Sequence, residues 1–288
     1  MDKLQYQLKQ ICDRNRDGSY ATQANRARAL SQFAAQLKDL GYRKMCPQSL
    51  KPKHVDALIA HWKNETISDA TIKNRMAHLR WWAEKVNKAS VVARNNAHYG
   101  IADRKFVTNE NKGLKLDLDK LQNIKDPHIR LSLELQREFG LRREEALKFN
   151  PTWADQGSHI RLKESWTKGG RAREIPIRTQ SQRAVLASAK TLAGRGSMIP
   201  PDRKYIQQLR IYEKQTAVAG LSKLHGLRHE YAQRRYAELT KEKAPAVGGP
   251  TAKELTEEQK AVDRNARLKI SEELGHSREQ VTAIYLGR

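Results

Sequence analysis

The sequence predicts a mainly α-helical protein with one small β-hairpin, and three patterns in its 288 residues support that prediction. Apolar residues recur at steps of three and four through most of the chain, which is the spacing of helices with one buried face. Polar and apolar residues alternate, as in a strand, in two short segments at residues 159–162 and 173–177. A polar stretch between Tyr99 and Leu116 interrupts the helical pattern and predicts a link between two domains.

The charge balance indicates a polyanionic partner. Lys and Arg number 55 against 32 Asp and Glu, so the formal net charge is +23, and both halves of the chain are basic. A field this positive attracts phosphate polymers and makes their binding fall steeply with added salt. We therefore expect nucleic acid to contact both domains.

Cysteine content and hydropathy exclude several other classes of protein. Two cysteines, Cys12 and Cys46, provide neither a disulfide framework nor a thiolate cage for zinc, and we expect no metal and no other cofactor. The sequence has no apolar run of about 18 residues, and its beginning, MDKLQYQLKQ, lacks the apolar core of a signal peptide. The sequence therefore predicts a cytoplasmic protein that does not enter a membrane.

Residues 1–104 are predicted to form a helical domain. Helices are expected there near residues 29–40, 51–62 and 68–86. The third of them has an apolar stripe, and its other faces carry Lys73, Arg75 and Arg80. Each of these cations could be a solvated surface charge, but as a set they suit a DNA backbone, and we expect them to bind DNA.

Residues 105–116 are expected to be the linker, and residues 117–288 a second, mostly helical domain. Periodicity predicts helices near residues 127–139, 142–149, 181–192, 202–219, 222–239, 265–274 and 278–285. The two strands become a hairpin through a turn at Thr167, Lys168, Gly169 and Gly170. Residues 240–263 contain APAVGGP and then a Glu/Lys-rich stretch, which predicts an inserted, exposed loop with room for one helix.

Residues suited to phosphoryl transfer are concentrated in five segments of the second domain: GLRREEAL, TKGGRAREIPI, HGLRHEYA, LGHS and TAIYLGR. Guanidinium groups such as those of Arg142 and Arg228 match the geometry of phosphate oxygens with paired hydrogen bonds. Lys168, on a turn, could reach a leaving sugar oxygen and protonate it. A tyrosine becomes a competent nucleophile where cations favour the phenolate and a histidine accepts its proton.

The order of these segments resembles that of the tyrosine recombinases, the family of phage and mobile-element integrases, Xer resolvases and Cre. GLRREEAL is similar to the family's first box, which implies a catalytic arginine at Arg142 and a supporting acid at Glu145. TKGGRAREIPI resembles the family's hairpin box, which implies that Lys168 is the general acid. The flanking cations that we expect to bind DNA are Arg143, Arg171 and Arg173.

The remaining boxes complete the resemblance. HGLRH is similar to the histidine-x-x-arginine box, which implies that His225 handles the proton of the nucleophile and that Arg228 binds phosphate. LGHS resembles the box before the nucleophile, which implies that His276 donates a hydrogen bond to the phosphate. TAIY then supplies Tyr285 as the residue that bonds to a DNA 3′ phosphate. The spacing from Arg228 to His276 is longer than is usual in the family, and the excess coincides with residues 240–263.

The resemblance implies a site-specific recombinase or integrase that acts on double-stranded DNA. A helical core-binding domain before the linker and a catalytic domain after it would clamp the recombination site. The chemistry of the family needs neither a metal nor a nucleotide cofactor. By the same resemblance we expect a homotetramer in the synaptic complex, accessory DNA-bending proteins as partners, and a protein associated with the nucleoid when it is bound to DNA.

The sequence leaves alternatives open for individual roles. Arg171 and Arg173 compete with Lys168 as the general acid, because they lie close to it in the hairpin segment. Tyr231 and Tyr236 compete with the tyrosine of TAIY as the nucleophile, although they share a helix with the phosphate-binding arginine.

Alternatives also remain for the class of site and of function. His225 and His229 have the spacing of a metal pair, but Gln233 stands where an HExxH motif needs its second histidine. Glu145 could be a surface acid paired with Lys148. The alternative functions are DNA relaxation of the type IB topoisomerase kind and a DNA-binding regulator without catalysis.

Overall fold

The structure, a computed structural model, describes residues 2–103, 105–276 and 278–288. Over these residues the chain is mostly helical with one two-stranded antiparallel sheet, which confirms the predicted fold class. The chain divides into two compact units, residues 1–105 and 106–288, each with its own hydrophobic core. None of the described helices is long and apolar enough to cross a membrane.

The first unit is built from helices with well-defined beginnings. Its described α-helices are α1 (Lys3–Arg14), α2 (Tyr20–Asp39), α3 (Pro52–Asn64) and α4 (Asp69–Lys85). Asp2, Ser19 and Ser68 cap α1, α2 and α4, and each accepts a hydrogen bond from a backbone N–H of the first turn. Helix α1 was not predicted from the sequence, because its fully buried residues are Leu4 and Leu8 and the rest of it is mainly polar.

Two buried tryptophans form the centre of the first unit. The indole N–H of Trp62 donates to Oε1 of Gln36 at 2.9 Å, and its ring lies 5.0 Å from that of Phe33. The indole N–H of Trp82 donates to the main-chain oxygen of Pro47 at 3.1 Å. Because a buried indole N–H needs a partner, these two bonds fix how α3 and α4 pack in the unit.

The second unit begins with short helices and the hairpin. Its first elements are α5 (Leu118–Gln122), α6 (Pro127–Phe139), α7 (Arg143–Lys148), α8 (Pro151–Ala154), β1 (His159–Leu162) and β2 (Arg173–Pro176). The strands pair antiparallel, with His159 opposite Pro176 and Leu162 opposite Arg173. Alternation along the strands buries Leu162, Arg173 and Ile175.

Longer helices complete the second unit: α9 (Gln180–Ala193), α10 (Tyr205–Val218), α11 (Gly226–Thr240), α12 (Glu257–Glu273) and α13 (Glu279–Leu286). The helix that periodicity predicts at residues 265–274 begins earlier, at Glu257, inside the segment 240–263 that the sequence predicts as a loop with room for one helix. Thr256 accepts a hydrogen bond from the backbone of Gln259, and the Gln259 side chain accepts one from the backbone of Thr256. This capping box is the physical reason for the early start of α12.

Helices α6 and α11 form the centre of the second unit. Phe139 of α6 and Tyr231 and Tyr236 of α11 are buried in the same core. Helix α6 packs against α9 and α11, and α11 also contacts α12 and α13. Because α11 contacts both α12 and α13, side chains from these last two helices pack around it.

Trp62→Ala is expected to lower the free energy of unfolding of the first unit by about 3–5 kcal/mol, since it removes a fully buried ring and leaves the amide of Gln36 without its donor. Denaturant unfolding followed by circular dichroism measures this loss. Tyr20→Ala is the control, because that ring is 91% exposed, and we expect it to change the stability by less than about 0.5 kcal/mol. Equal losses in the two variants would contradict the assigned core.

Candidate active site

Arg228, in the first turn of α11, is a buried cation with 1% of its surface exposed. Its guanidinium donates to the main-chain oxygen of Gly140 at 2.5 Å and to that of Leu274. These two residues cap the carboxyl ends of α6 and α12, where carbonyl groups lack a partner in their own helix. Burial and the nearby charge of Arg142 lower the pKa of Arg228 to about 10, so the side chain stays positive at neutral pH.

The buried carboxylate of Glu145 lies among three arginines. It accepts hydrogen bonds from the Arg173 guanidinium at 3.0 and 2.6 Å, from the Arg142 side chain at 2.8 Å and from the Arg142 backbone at 2.7 Å. One carboxylate oxygen is also 4.0 Å from a nitrogen of Arg228. Burial raises the pKa of a carboxyl group, but the hydrogen bonds and charge of Arg173, with the other two cations, lower that of Glu145 to about 2.

Helix α13 places Tyr285 against this cluster. The Tyr285 hydroxyl lies 3.2 Å from Nε2 of His225 and 3.4 Å from Nε of Arg228. Its ring stacks on that of His276, with centroids 5.2 Å apart, and contacts that of His229 at 4.4 Å. Since Tyr285 is 6% exposed, both packing and hydrogen bonding fix its orientation.

The histidines beside Tyr285 are neutral at neutral pH. Burial and the charge of Arg228 lower the pKa of His225, and they lower that of His276 to about 3. Arg228 donates to Nε2 of His276 at 3.3 Å, so the Nδ1–H of that ring donates to the hydroxyl of Thr282 at 2.9 Å. Donation from His276 to a phosphate would need the other tautomer, with the Thr282 hydroxyl as the donor to Nδ1.

The structure brings together five of the six side chains that the sequence predicts to be catalytic: Arg142, His225, Arg228, His276 and Tyr285. Lys168 lies apart, exposed on the turn between β1 and β2, and within the described residues no hydrogen bond or ion pair joins it to the cluster. Thr167 holds the turn closed, because its hydroxyl accepts from the Arg171 backbone N–H at 2.9 Å. Arg171 is exposed on the same turn.

Arg173 was expected to bind DNA, but the structure buries it. Its Nε donates to the main-chain oxygen of Glu273 at 2.9 Å, and its other nitrogens donate to Glu145. The side chain therefore supports the buried carboxylate instead of standing on the surface. The alternation of β2 contained the signal, since Arg173 shares a face with buried Ile175, but the prediction was based on the charge of Arg173 alone.

Four of the other cations expected to bind DNA make side-chain contacts within their own unit. The ion pairs are Lys73 with Asp103 at 2.6 Å, Arg75 with Glu65 at 3.4 Å and Arg143 with Glu213 at 2.9 Å. Arg80 donates to the main-chain oxygen of Ala93 and to the Asn96 side chain. Ion pairs near the surface contribute at most about 1 kcal/mol, so they do not lock these side chains in place.

Supporting contacts that the sequence did not reveal hold the end of α12. Glu273 accepts hydrogen bonds from the Tyr231 hydroxyl at 2.7 Å and from Arg235 at 2.9 Å, while its carbonyl group receives Arg173. Thr282 orients the histidine of LGHS, as described above. Residues 100 positions apart meet in the contact between Arg173 and Glu273, and no periodicity predicts such a pair.

The competing tyrosines are poorly placed to act as nucleophiles. Burial and the carboxylate of Glu273 raise the pKa of Tyr231. Burial and a hydrogen bond to Asp263 raise the pKa of Tyr236.

In the part of the chain that the structure describes, no group of three or more His, Cys, Asp or Glu side chains is arranged to hold a metal ion.

Two families match the chain in successive segments. Residues 1–92 match the family described as phage integrase, N-terminal, and residues 100–234 match the family described as integrase. Comparison with curated proteins gives no match. The sequence matches thus cover most of both compact units.

Solved structures share the fold. The XerH site-specific recombinase bound to palindromic difH substrate is 16% identical over 99% of this chain and 81% of that chain, with a TM-score of 0.59. A lambda integrase dimer bound to a COC′ core site is 17% identical over 98% of this chain and 78% of that one, with a TM-score of 0.65. The Tn1549 transposon integrase in complex with circular intermediate DNA is 13% identical over 100% and 96%, with a TM-score of 0.58.

Successive segments of the chain are thus similar to integrases, and the chain shares its fold with solved site-specific recombinases and integrases. Both findings support the resemblance to the tyrosine recombinases that the order of the motifs indicates.

Glu145→Gln is expected to lower the free energy of unfolding by about 3 kcal/mol at pH 7, because it leaves three arginines without their buried counter-ion. The folded-state pKa of Glu145, about 2, lies below its usual 4.5. The stabilisation by ionised Glu145 is therefore complete above pH 4.5 and is lost as the pH falls toward 2. At that low pH the wild type and Glu145→Gln should become equally stable. Urea unfolding at a series of pH values measures the difference.

Glu144→Gln is the matched control for this series. The Glu144 carboxylate is half exposed and pairs with Lys148 at 2.6 Å on the surface of α7, so its loss should change the stability by less than about 0.5 kcal/mol. A Glu145→Gln protein as stable as the wild type at pH 7 would show that the carboxylate does not balance the arginines.

Proposed function

We propose that this protein cuts and rejoins DNA strands at specific sites through a 3′-phosphotyrosyl intermediate, with Tyr285 as the nucleophile. The observation that carries the proposal is the position of the Tyr285 hydroxyl, 3.2 Å from Nε2 of His225 and 3.4 Å from Nε of Arg228. A proton acceptor and a phosphate-binding cation thus meet at a single oxygen atom. That combination is what nucleophilic attack on a phosphodiester needs.

In the proposed reaction the Tyr285 oxygen attacks the phosphorus atom, and its proton passes to Nε2 of His225. The lowered pKa of His225 keeps that nitrogen free to accept a proton at neutral pH. As the bond from tyrosine to phosphorus forms, the bond from phosphorus to the 5′ oxygen breaks, and Lys168 gives the leaving oxygen a proton. One phosphate ester replaces another, so a 5′ hydroxyl can later reverse the step and rejoin a strand.

Positive charge around Tyr285 would stabilise the phosphate as charge develops on its non-bridging oxygens. Arg228 supplies a fixed cation, and the Arg142 side chain, which is 23% exposed, supplies a second one at the surface of the cluster. His276 is the third proposed donor, in the tautomer in which the Thr282 hydroxyl donates to its Nδ1. Glu145 and Arg173 act as positioning residues in this scheme. Glu145 holds the Arg142 side chain, and the bonds between Arg173 and Glu145 hold strand β2 beside it.

Binding of double-stranded DNA is supported by the net charge of +23 and by the complexes that similar proteins form. We assign core DNA binding to the helical domain at residues 1–104 and catalysis to residues 117–288. Lys73, Arg75 and Arg80 are proposed to contact the DNA backbone from the first domain, and Arg143 and Arg171 from the second. A lambda integrase tetramer bound to a Holliday junction has the same fold, with a TM-score of 0.58, which favours action as a homotetramer.

Tyr285→Phe is expected to lower covalent attachment to DNA by at least about a thousandfold, because it removes the attacking oxygen. The purified protein is mixed in EDTA with fragments of its source genome, and DNA that remains attached after SDS is recovered and sequenced. Tyr212→Phe is the matched control, since it removes a buried hydroxyl that accepts a hydrogen bond from the Gln136 amide at 3.1 Å and not from a residue of the cluster. An adduct that persists in Tyr285→Phe would exclude this nucleophile.

The products of the same assay separate the related functions. Exchange of strands between two recovered sites supports recombination, whereas relaxation of a supercoiled plasmid without exchange supports an activity of the type IB topoisomerase kind. Sequence-specific binding without any adduct would support a regulator that does not cut DNA.

Lys168→Ala is expected to slow cleavage of an ordinary phosphodiester by about 10²–10⁴-fold, since the leaving oxygen then lacks its proton donor. A recovered site with sulfur in place of the bridging 5′ oxygen should be cleaved at nearly the wild-type rate, because a thiolate leaves without a proton. Arg171→Ala, on the same exposed turn, is the control and should not distinguish the two substrates. Slow cleavage of both substrates by Lys168→Ala would assign the proton to another group.

A further inference from the structure

The segment that joins the two units runs directly along the candidate site. Its residues 109–114 lie against the beginning of α11, where the Leu114 N–H donates to the main-chain oxygen of Gly226 at 2.9 Å. A side chain at Gly226 would bring its Cβ within 2.6 Å of Leu114 Cβ and 2.8 Å of the Lys112 carbonyl oxygen. The absence of a side chain at this position therefore allows the segment to touch the turn that carries His225.

The same segment also holds the end of α13. The Asn109 side chain donates to the main-chain oxygen of Arg288 at 2.9 Å and accepts from its N–H at 2.8 Å. Both polar atoms of one amide are thus bound to one residue, three positions after Tyr285. Asn109 has a φ of 53°, a left-handed conformation that asparagine adopts more readily than most residues.

A second connection reaches Tyr285 itself. The Gln233 side chain donates to the main-chain oxygen of Tyr285 at 3.2 Å and to Oδ1 of Asn111 at 3.2 Å. The Asn111 oxygen also accepts from the Gly113 N–H at 2.8 Å, which fixes its own position in the segment. Gln233 is buried on α11, so its amide has a defined orientation.

We propose that the segment at residues 109–114 positions the nucleophile. Asn109 holds the end of α13 directly, and Asn111 does so through Gln233. These are positioning residues, because their bonds go to main-chain groups and leave the Tyr285 hydroxyl to its partners in the cluster. The inference rests on the proposed function of Tyr285, and it assigns a catalytic consequence to a stretch that composition predicts as a linker.

A second contact, which does not involve Asn109, holds the end of α13. Arg267 of α12 donates to the main-chain oxygen of Gly287 at 2.9 Å and is held by Asp263 at 2.8 Å. Loss of the Asn109 amide should therefore loosen the end of α13 without releasing it. The effect of losing the Asn109 amide should therefore be measured as a change in the rate of cleavage and not in the stability of the protein.

Asn109→Gly removes both hydrogen bonds and permits the left-handed φ. On a DNA fragment recovered by covalent capture, we expect single-turnover cleavage to slow by about tenfold, while the Kd for the same fragment stays within about twofold of the wild-type value. Asn87→Gly is the matched control, because Asn87 has a φ of 57° in the first unit, and it should change neither quantity. An unchanged cleavage rate, or a loss confined to DNA binding, would overturn the proposal.

Hydrogen exchange measured by mass spectrometry tests the contact without DNA. Amide exchange in residues 283–288 should become faster by about tenfold in free Asn109→Gly protein, and exchange in α9 should stay unchanged. Unchanged exchange at residues 283–288 would overturn the proposal even if the enzyme were active. If the wild-type protein forms no covalent adduct with DNA, the proposed function is wrong, but the exchange measurement still tests the contact of Asn109. Failure of the proposed function and failure of the positioning role are therefore distinguishable.

Discussion

The candidate site depends on one buried carboxylate. Glu145 accepts hydrogen bonds from Arg173 and Arg142 and lies 4.0 Å from Arg228, so it balances three cations that would otherwise repel each other in a poorly solvated space. The same carboxylate accepts the backbone N–H of Arg142 at the start of α7. One side chain therefore fixes where α7 begins and holds the buried end of β2. The geometry of the whole cluster follows from these contacts.

Arg228 shows how a buried cation can be held without losing its charge. Its acceptors Gly140 and Leu274 are the terminal carbonyl groups of α6 and α12, which carry the negative ends of the two helix dipoles. Gly140 has a left-handed φ of 61°, and a Cβ there would come within 2.5 Å of the Tyr231 ring. Only glycine fits between α6 and α11, and its carbonyl group can then reach the guanidinium. Helix ends thus solvate Arg228 and allow it to keep its charge in a buried site.

Much of the fold was predictable because its signals are local. Helix α6 was predicted and observed at residues 127–139, since Pro127 favours its first turn and the glycine after Phe139 ends it. Helix α12 begins earlier than its apolar periodicity predicts, because the capping box at Thr256 starts it among polar residues. The order of the motifs singled out five side chains that lie together in the structure, whereas the sixth, Lys168, lies apart on the hairpin turn. The supporting contacts of Asn109 and Glu273 could not be predicted, because each joins single polar residues far apart in the chain.

The arginines that would bind the phosphate also control the proton acceptor in the proposed mechanism. Burial and the charge of Arg228 lower the pKa of His225, which makes the ring neutral but a weak base while the cluster carries its full positive field. A bound phosphate brings negative charge into that field, and Coulomb's law requires the pKa of a neighbouring histidine to rise. His225 therefore becomes a stronger base when a phosphodiester is in place beside Tyr285. In the proposed mechanism, the positive field of the cluster thereby links proton transfer to the presence of substrate.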